Sequence, residues 1–197
     1  MALIERFISE IDSLWGREDP RRLDFDIIGS CALMLQAEYQ RVTKDSDVLE
    51  TRQMDGVVRK RLIDLAGWGS RLHKRHGIYL DIVQGSLPFL PQRPIFHPIA
   101  PLADLRSISA RALDVVDVVV SKLKRFSAND RADIGAMVDR GSVPHAVLLE
   151  RFRLAMDGFE VDARAQDFPK CIDNLHVVER DHLGVSETAI ELPDWFA

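Results

Sequence analysis

The sequence predicts an α+β fold in which a mixed β-sheet is flanked by helices and followed by a C-terminal helical part. Short apolar runs typical of strands alternate with amphipathic helical patterns over the first 110 residues, and helical patterns dominate after that point. The chain has 197 residues, of which 46% are hydrophobic, and this is enough to bury a sizeable core. We therefore expect an α/β core over residues 1–110 and a helical region over residues 111–197 that packs on it.

The elements of the core follow from hydrophobic periodicity and from turn residues. Apolar residues every three or four positions predict a helix over 2–15, which ends before Asp19-Pro20. Phe25, Ile27 and Ile28 predict a short strand that Gly29-Ser30 ends, with Ser30 as the N-cap of the next helix. The remaining core elements are predicted as a helix over 31–40, a strand over 45–49, a helix over 54–76, a strand over 78–83 and a strand over 99–110.

The second half of the chain is predicted to be helical after a proline-rich loop over 84–98. The segment 112–126 is rich in β-branched residues and could form a strand, but its length and its one-sided charges favour a helix. Further helices are predicted over 128–139, 143–157 and 167–183, and the final ELPDWFA is expected to pack back onto the body.

Composition excludes several classes of protein. The net charge of −5 gives no basis for tight non-specific binding to nucleic acid, although a local basic patch stays open. Two cysteines, Cys31 and Cys171, are too few for a disulfide framework and suit a reducing cytosol. No secretory leader and no membrane-spanning run is present, so we expect a cytoplasmic protein without membrane contact. Rossmann and P-loop motifs are absent as well.

Two aspartates stand two positions apart at the predicted strand over 45–49. Residues i and i+2 of a strand point to the same side, so Asp45 and Asp47 present two carboxylates together. Two like charges so close are unfavourable unless a cation neutralises them, and Mg²⁺ accepts such oxygen ligands while it also binds phosphates. A solvated acidic turn is the alternative interpretation of this pair.

Gly29 and Ser30 lie at a predicted strand-to-helix turn. Glycine allows a backbone to approach a ligand closely, and a serine at a helix N-terminus adds a hydroxyl to free N–H groups, which suits an anion. An ordinary N-cap explains the same residues. Taken together with the paired aspartates, however, the turn places an anion site and a metal site at the same end of neighbouring strands, as a nucleoside triphosphate with Mg²⁺ requires.

This order of elements resembles the nucleotidyltransferase superfamily of polymerase-β-like enzymes. IGSCAL over 28–33 matches the Gly-Ser half of its motif, and RVTKDSD over 41–47 matches the Asp-x-Asp half. SKLKRFSANDRADI over 121–134 resembles a segment of a bacterial branch that contains the toxins of type IV abortive-infection systems. The resemblance spans roughly residues 20–140, and the chain departs from the toxins in its shorter C-terminal helical region.

The resemblance implies roles for further residues. Asp81, in YLDIV, matches the third carboxylate of the superfamily, with an edge-strand acid as the alternative. Lys122 matches a lysine that assists the phosphates, with a solvated helix lysine as the alternative. Asp130 and Asp133 match later acids of the segment, and we expect them to hold Arg125 and the helical hairpin in place rather than to touch substrate.

Other polar and aromatic residues carry weaker signals. His73 and His76 lie on one helix face and could bind a metal, but a basic face, RLHKRH, is favoured because they lack partners at zinc spacing. Cys31 is interpreted as a small buried residue. Trp68, Trp195 and Phe196 are interpreted as core or interface anchors.

The sequence thus predicts an enzyme that transfers a nucleotidyl group from an NTP to a hydroxyl of an RNA such as tRNA, of a protein or of a small molecule. Asp45, Asp47 and Asp81 would bind Mg²⁺ or Mn²⁺ and act in catalysis, while Gly29, Ser30 and Lys122 would bind the nucleotide. The resemblance also implies a place in a toxin–antitoxin pair. Two alternatives are a catalytically degenerate relative that binds nucleotide or a partner such as an antitoxin, and a dimer module built on the 84–98 loop and the apolar tail.

Overall fold

The α+β fold is confirmed by a computed structural model of the chain, which describes residues 2–37, 39–40, 44–84, 88–158 and 163–196. The chain divides into two compact units. The first comprises Met1–Leu87 and Phe96–Leu113, and the second comprises Pro88–Ile95 and Asp114–Ala197. The division at residue 110 that the sequence predicts stays a prediction. No helix of the described residues is long and apolar enough to cross a bilayer.

A mixed five-stranded sheet forms the centre of the first unit. Its strands are β1 (Leu23–Ile27), β2 (Asp45–Leu49), β3 (Tyr79–Val83), β4 (Phe96–Pro98) and β5 (Ile108–Leu113), and its helices are α1 (Leu3–Glu18), α2 (Gly29–Gln36), α3 (Gly56–Ala66) and α4 (Arg71–His76). The strand order is β3-β2-β1-β5-β4. The pairs β1–β5 and β2–β3 are parallel, whereas β1–β2 and β4–β5 are antiparallel.

The two faces of this sheet differ sharply in polarity. Apart from the buried Ser46, one face consists of buried apolar side chains, namely Leu23, Phe25, Ile27, Val48, Leu80, Ile82, Ile108 and Ala112. Side chains along a strand point to alternate sides, and the opposite face carries the acids of β1, β2 and β3, with Leu49 and Val83 at the ends of β2 and β3. Burial of the apolar face stabilises the sheet, and the other face remains available for chemistry.

The helix α1 contributes most of its apolar stripe to the core of the first unit. Ile4, Phe7, Ile8, Ile11 and Trp15 are each at most 1% exposed. Asp12, on the same helix, accepts hydrogen bonds from the backbone N–H groups of residues 106, 107 and 108 at 3.3, 2.7 and 2.8 Å. This contact holds the chain at the start of β5 and satisfies donors that the sheet leaves unpaired there.

The second unit consists of helices α5 (Val115–Leu123), α6 (Ala128–Asp139), α7 (His145–Asp157) and α8 (Phe168–Val177), with a π-helical turn over Val178–Leu183. A buried ion pair joins Asp117 on α5 to Arg151 on α7, with two N–O distances of 2.6 Å. Asp117 also accepts the N–H of Ile95, and Arg151 donates to the carbonyl of Arg93. These contacts explain why the short segment Pro88–Ile95 belongs to the second unit.

One predicted helix is interrupted in the structure. The pattern over 54–76 gives two helices, α3 and α4, because Gly67-Trp68-Gly69-Ser70 lies between them. Gly69 takes a φ of +80°, which only glycine adopts without strain, and Ser70 caps α4 by accepting the N–H of His73. The apolar periodicity continues through both helices, so the hydrophobic pattern of the sequence does not indicate the break between them.

Three other elements differ from the prediction. The strand expected over 99–110 is shifted to β5, because Ala100–Leu102 form a 3₁₀ turn and Asp114, rather than an earlier residue, caps α5. The loop expected over 84–98 contains the edge strand β4, where Pro98 is tolerated, while its residues 85–87 lie outside the described residues. The helix predicted over 167–183 is α-helical only as far as Val177.

Candidate functional site

The three predicted carboxylates share one face of the sheet. Asp47 on β2 is the register partner of Asp81 on β3, and Asp45 is the partner of Tyr79. Register partners of adjacent strands point to the same side, and so do residues two apart along a strand. Asp45, Asp47, Tyr79 and Asp81 therefore lie together on the polar face, which we call the acid face; Asp45 and Asp47 are half-buried and Asp81 is exposed.

Gly29 lies against this acid face. A Cβ atom added at Gly29 would stand 2.9 Å from Oδ2 of Asp47, closer than real Cβ contacts. The backbone of Gly29 also has a φ of +65°, in the left-handed region. Two independent constraints thus favour glycine here, and the backbone of Gly29 lies directly against the Asp47 carboxylate.

The helix α2 (Gly29–Gln36) begins two residues before the predicted start at residue 31 and ends four residues before the predicted end at residue 40. Its N-cap is Ile28, which has no side-chain oxygen and makes no capping hydrogen bond. Ser30 is therefore not the N-cap: it lies inside the first turn, because the left-handed Gly29 already turns the chain into the helix. The N–H of Ile28 donates to the carbonyl of Asp47 at 2.9 Å, which joins the start of α2 to β2.

Cys31 secures the same junction. Its thiol is 2% exposed, and Sγ lies 3.2 Å from the carbonyl oxygen of Asp45. The interpretation of Cys31 as a small buried residue is confirmed. Together with the bond from Ile28, this contact fixes the Gly-Ser turn against the strand that carries the two aspartates.

The acid face is electrostatically negative. Burial raises the pKa of the Tyr79 hydroxyl, and the charges of Asp45, Asp81 and Asp47 raise it further. All three carboxylates thus act on the same phenol, which is what a shared face requires. A dication or the positive groups of a ligand would relieve this repulsion.

Asp26 on β1, which was not predicted as a site residue, adds a further carboxylate to the polar face of the sheet. Burial raises its pKa, and the Arg111 guanidinium, which donates to both of its oxygens at 2.8 and 3.0 Å, opposes that rise. The alternation in DFDI places Asp24 and Asp26 on one side of a strand, and this signal could have identified them. Because Arg111 neutralises Asp26, the acids of β2 and β3 remain the candidates for a cation.

The acid face fits the ligand preference of Mg²⁺. Carboxylate oxygens suit this ion, and the close approach of the Gly29 backbone brings the start of α2 beside Asp47. Among the described residues, no three His, Cys, Asp or Glu side chains converge into a ready-made metal centre. Mg²⁺ commonly uses one or two carboxylates, with water and substrate phosphates completing its shell, so Asp45 and Asp47 would be the protein ligands.

Lys122 lies in the second unit and is 6% exposed. Its ammonium makes ion pairs with Asp130 at 3.0 Å and Asp133 at 2.8 Å. Asp130 also accepts hydrogen bonds from Arg125 and Ser127. The expectation that Asp130 and Asp133 hold the helical hairpin is confirmed, whereas the expected role of Lys122 at phosphates stays a prediction.

The two histidines of α4 are engaged separately. His76 pairs with Glu10 at 2.7 Å, and Nδ1 of His73 accepts the N–H of Gly69 at 2.9 Å. These contacts leave no shared metal site for the pair and agree with the favoured basic face. Trp68 is not a core residue, since it is 71% exposed.

The predicted aromatic tail belongs to the second unit. Phe196 stacks on Phe168, with ring centroids 5.6 Å apart, as the expectation of a packed tail requires. The side chain of Trp195 lies outside the described residues. Two cavities, of about 380 Å³ beside α1 and α4 and about 650 Å³ beside α7, do not include the acid face.

Comparison with known proteins gives one result. No curated protein and no solved structure matches the chain. A family model described as a nucleotidyltransferase of unknown function (DUF6036) matches residues 3–171. This range contains the Gly-Ser turn, the whole sheet and the acid face. The chain therefore belongs to this family of nucleotidyltransferases of unknown function.

Proposed function

We propose that this protein transfers a nucleotidyl group from an NTP to an acceptor hydroxyl with the help of Mg²⁺ or Mn²⁺. The observation that carries the proposal is the position of Gly29, whose backbone lies so close to the carboxylate of Asp47 that an added Cβ would collide with it. A glycine at this turn lets the backbone approach a phosphate chain closely, and the metal that accompanies the phosphates would need the two carboxylates beside it. Family membership supports the reaction class.

Each residue of the acid face has a distinct role in this proposal. Asp45 and Asp47 would hold the metal, which would supply positive charge that stabilises the departing pyrophosphate. The Gly29 backbone and Ser30 contact the phosphates at the start of α2. Asp81, exposed and in register with Asp47, accepts the proton of the acceptor hydroxyl or binds a second ion.

The acceptor in this proposal is an RNA, a protein or a small molecule. The relationship to the abortive-infection toxins rests on the resemblance of the segment 121–134, whose Lys122, Arg125, Asp130 and Asp133 form one connected cluster in the second unit. A toxin of this kind would be paired with an antitoxin. We therefore include a toxin–antitoxin role in the proposal.

Nucleotide binding tests the proposal before any acceptor is known. We would measure the melting temperature with each of the four NTPs, as analogues that cannot be cleaved between the α- and β-phosphates, in Mg²⁺ and in EDTA. We expect one NTP to stabilise the protein only with Mg²⁺, by about 2.7 kcal/mol at 100 times its Kd. Asp45→Asn/Asp47→Asn should abolish this effect.

A matched control separates the site from the general charge of the protein. Asp104 is an exposed acid of the same unit that lies outside the acid face, and Asp104→Asn should leave the shift unchanged. Absence of any NTP-dependent shift in the wild type would contradict the proposal. An equal shift in the double variant would show that the nucleotide binds elsewhere.

A second candidate is a non-catalytic member of the family that binds nucleotide or a partner protein. The ion pairs of Lys122 favour it, because two carboxylates already neutralise the charge that the toxin resemblance assigns to phosphates. Mg²⁺-dependent NTP binding without any transfer to RNA, protein or water would favour this candidate over the enzyme.

A further inference from the structure

Three aromatic rings form a cluster at the surface of the first unit. Trp68 lies 4.5 Å from His73 and 5.2 Å from Tyr79, and His73 lies 5.4 Å from Tyr79, all measured between ring centroids. Trp68 is nevertheless 71% exposed. A single exposed apolar residue needs no explanation, but three mutually contacting rings with an open indole are different. We call these three residues the ring cluster.

The chain around Trp68 is shaped to present the indole outwards. Gly67 has no room for a side chain, since a Cβ there would stand 2.6 Å from the carbonyl oxygen of Ile63. Gly69 takes a φ of +80°, and its N–H donates to Nδ1 of His73. That bond leaves the proton of a neutral His73 on Nε2 and orients the ring beneath Trp68. The indole is thus held in place before any ligand arrives.

The ring cluster is contiguous with the acid face. Tyr79 belongs to both, because it is the register partner of Asp45 and stands two residues before Asp81 on the same strand. Gly77, with a φ of +71°, ends α4 and lets β3 begin two residues later. A ligand stacked on Trp68 would therefore lie beside Asp81, the carboxylate assigned to the acceptor hydroxyl.

The helix α4, which carries His73 of the ring cluster, also carries two exposed cations. Arg71 and Lys74 are exposed, and no carboxylate in the described part of the chain pairs with either of them. Arg75 and His76, by contrast, both bind Glu10. The chain as a whole has a net charge of −5, so two exposed cations without an acidic partner depart locally from the overall negative charge. They therefore favour an anionic partner.

We propose that the ring cluster, with Arg71 and Lys74, binds a single-stranded nucleic acid as the acceptor, with one base stacked on Trp68 and neighbouring phosphates on the two cations. This inference rests on the proposed nucleotidyl transfer and names its acceptor class. A strand end held in this way presents its terminal hydroxyl towards Asp81 and the acid face.

The chemistry of the surface favours a single strand over other acceptors. Unpaired bases offer the flat faces that rings stack on, whereas the bases of a duplex are stacked on one another. A protein acceptor would not need both a stacking surface and phosphate-binding cations. Free nucleotide could use the rings, but it has no neighbouring backbone phosphates for Arg71 and Lys74 beyond its own.

Direct strand binding tests this inference without catalysis. We would measure fluorescence anisotropy of a labelled 12-nucleotide single-stranded RNA of mixed sequence, in EDTA and without NTP, and compare the same DNA strand, an RNA duplex and free NTPs as competitors. We expect the single strand to bind more tightly than the duplex. Trp68→Ala should weaken binding by about 5- to 150-fold, the range for loss of one stacked base.

Control variants distinguish stacking from general surface effects. Trp68→Phe should restore most of the affinity, because the smaller ring still stacks, and Val57→Ala should change nothing although Val57 is 65% exposed. Arg71→Gln/Lys74→Gln should reduce the slope of log affinity against log salt by about 1.4. Comparison of the RNA and DNA arms identifies which strand the protein prefers.

The outcomes separate this inference from the proposed function. Strand binding that depends on Trp68 supports the inference even if no transfer is found, and Asp47→Asn should retain that binding. The inference is overturned if no strand binds, if the duplex binds better, if Trp68→Ala has no effect, or if only free NTP competes in a Trp68-dependent way. Transfer to another acceptor with no strand binding would overturn the inference and keep the proposed function.

Discussion

At Gly29, the backbone conformation and the neighbouring Asp47 carboxylate both favour glycine. Its φ of +65° disfavours any L side chain, and a Cβ there would press on Oδ2 of Asp47. Either constraint alone would favour glycine, and the second one links the residue to the acid face. A substitution at Gly29 should therefore affect both stability and nucleotide binding.

Gly77 provides the comparison for this residue. It has a similar φ of +71°, but an added Cβ would meet nothing within 4 Å. We expect Gly77→Ala to reduce the free energy of unfolding by about 1–2 kcal/mol through backbone strain alone. Gly29→Ala should lose at least as much and should also weaken Mg²⁺-dependent NTP binding. Urea unfolding and the NTP-dependent melting shift measure the two effects, and equal NTP binding in both variants would contradict the role of Gly29.

At the residue scale, the spacing of the acids along a strand predicted more of the candidate site than the types of the individual residues did. The alternation of a strand was enough to place Asp45 and Asp47 side by side, and Asp81 followed from the resemblance. Tyr79 and Trp68 were not predicted in this region, because their proximity depends on the register of β2 with β3 and on the glycine loop after α3. Long-range register of this kind cannot be derived from local patterns.

Among the elements, the turn from α5 to α6 contains a connected cluster of charged side chains. Asp130 is fully buried, and it accepts hydrogen bonds from the side chains of Lys122, Arg125 and Ser127. Burial by itself would raise the pKa of Asp130, but the hydrogen bonds of Arg125 and Ser127 and the charge of Lys122 outweigh it and lower the pKa. The ionised carboxylate thus stabilises the folded hairpin.

This lowered pKa predicts a pH dependence with a defined sign. A group whose pKa is lower in the folded state contributes its full stability above the unfolded value of about 3.9 and loses it as the pH falls towards the folded value. We expect Asp130→Asn to reduce the free energy of unfolding by about 2 kcal/mol at pH 7, as for a lost hydrogen bond to a charged group. The difference from wild type should shrink below pH 4.

Asp139, exposed at the end of the same helix, is the matched control. Asp139→Asn should change stability little at any pH, as is usual for surface positions. Urea unfolding of the three proteins between pH 3 and pH 7 gives the comparison. A difference between Asp130→Asn and wild type that stays constant over this range would contradict the contribution of the ionised carboxylate.

The bounds of an element were predicted well where capping or turn residues mark its ends. The bounds of α6 agree with the prediction because Ser127 and Asp130 form a capping box and the helix stops before Gly141. The break between α3 and α4 was missed because two glycines and a serine cap interrupt an apolar pattern that continues on both sides. The edge strand β4 was missed because its proline indicates a loop when the sequence is considered alone.

At the scale of the whole chain, the sheet has an apolar face that stabilises the fold and a polar face that carries the candidate chemistry. The fold class followed from the order of strand-like and helix-like patterns, and family membership supports the same conclusion. The strand order and the antiparallel pairing of β1 with β2 could not be derived from the residues alone, since they depend on contacts between distant segments.

Label transfer tests the central claim, nucleotidyl transfer at the acid face, most directly. The protein would be incubated with Mg²⁺ and each NTP, labelled with ³²P at either the α- or the γ-phosphate, together with single-stranded RNA, single-stranded DNA and cell-extract protein as acceptors. We predict that an acceptor gains the α-label and not the γ-label, and that Asp45→Asn/Asp47→Asn removes this transfer while Asp104→Asn retains it. Transfer of the γ-label, or α-label transfer that survives the double substitution, would contradict the account.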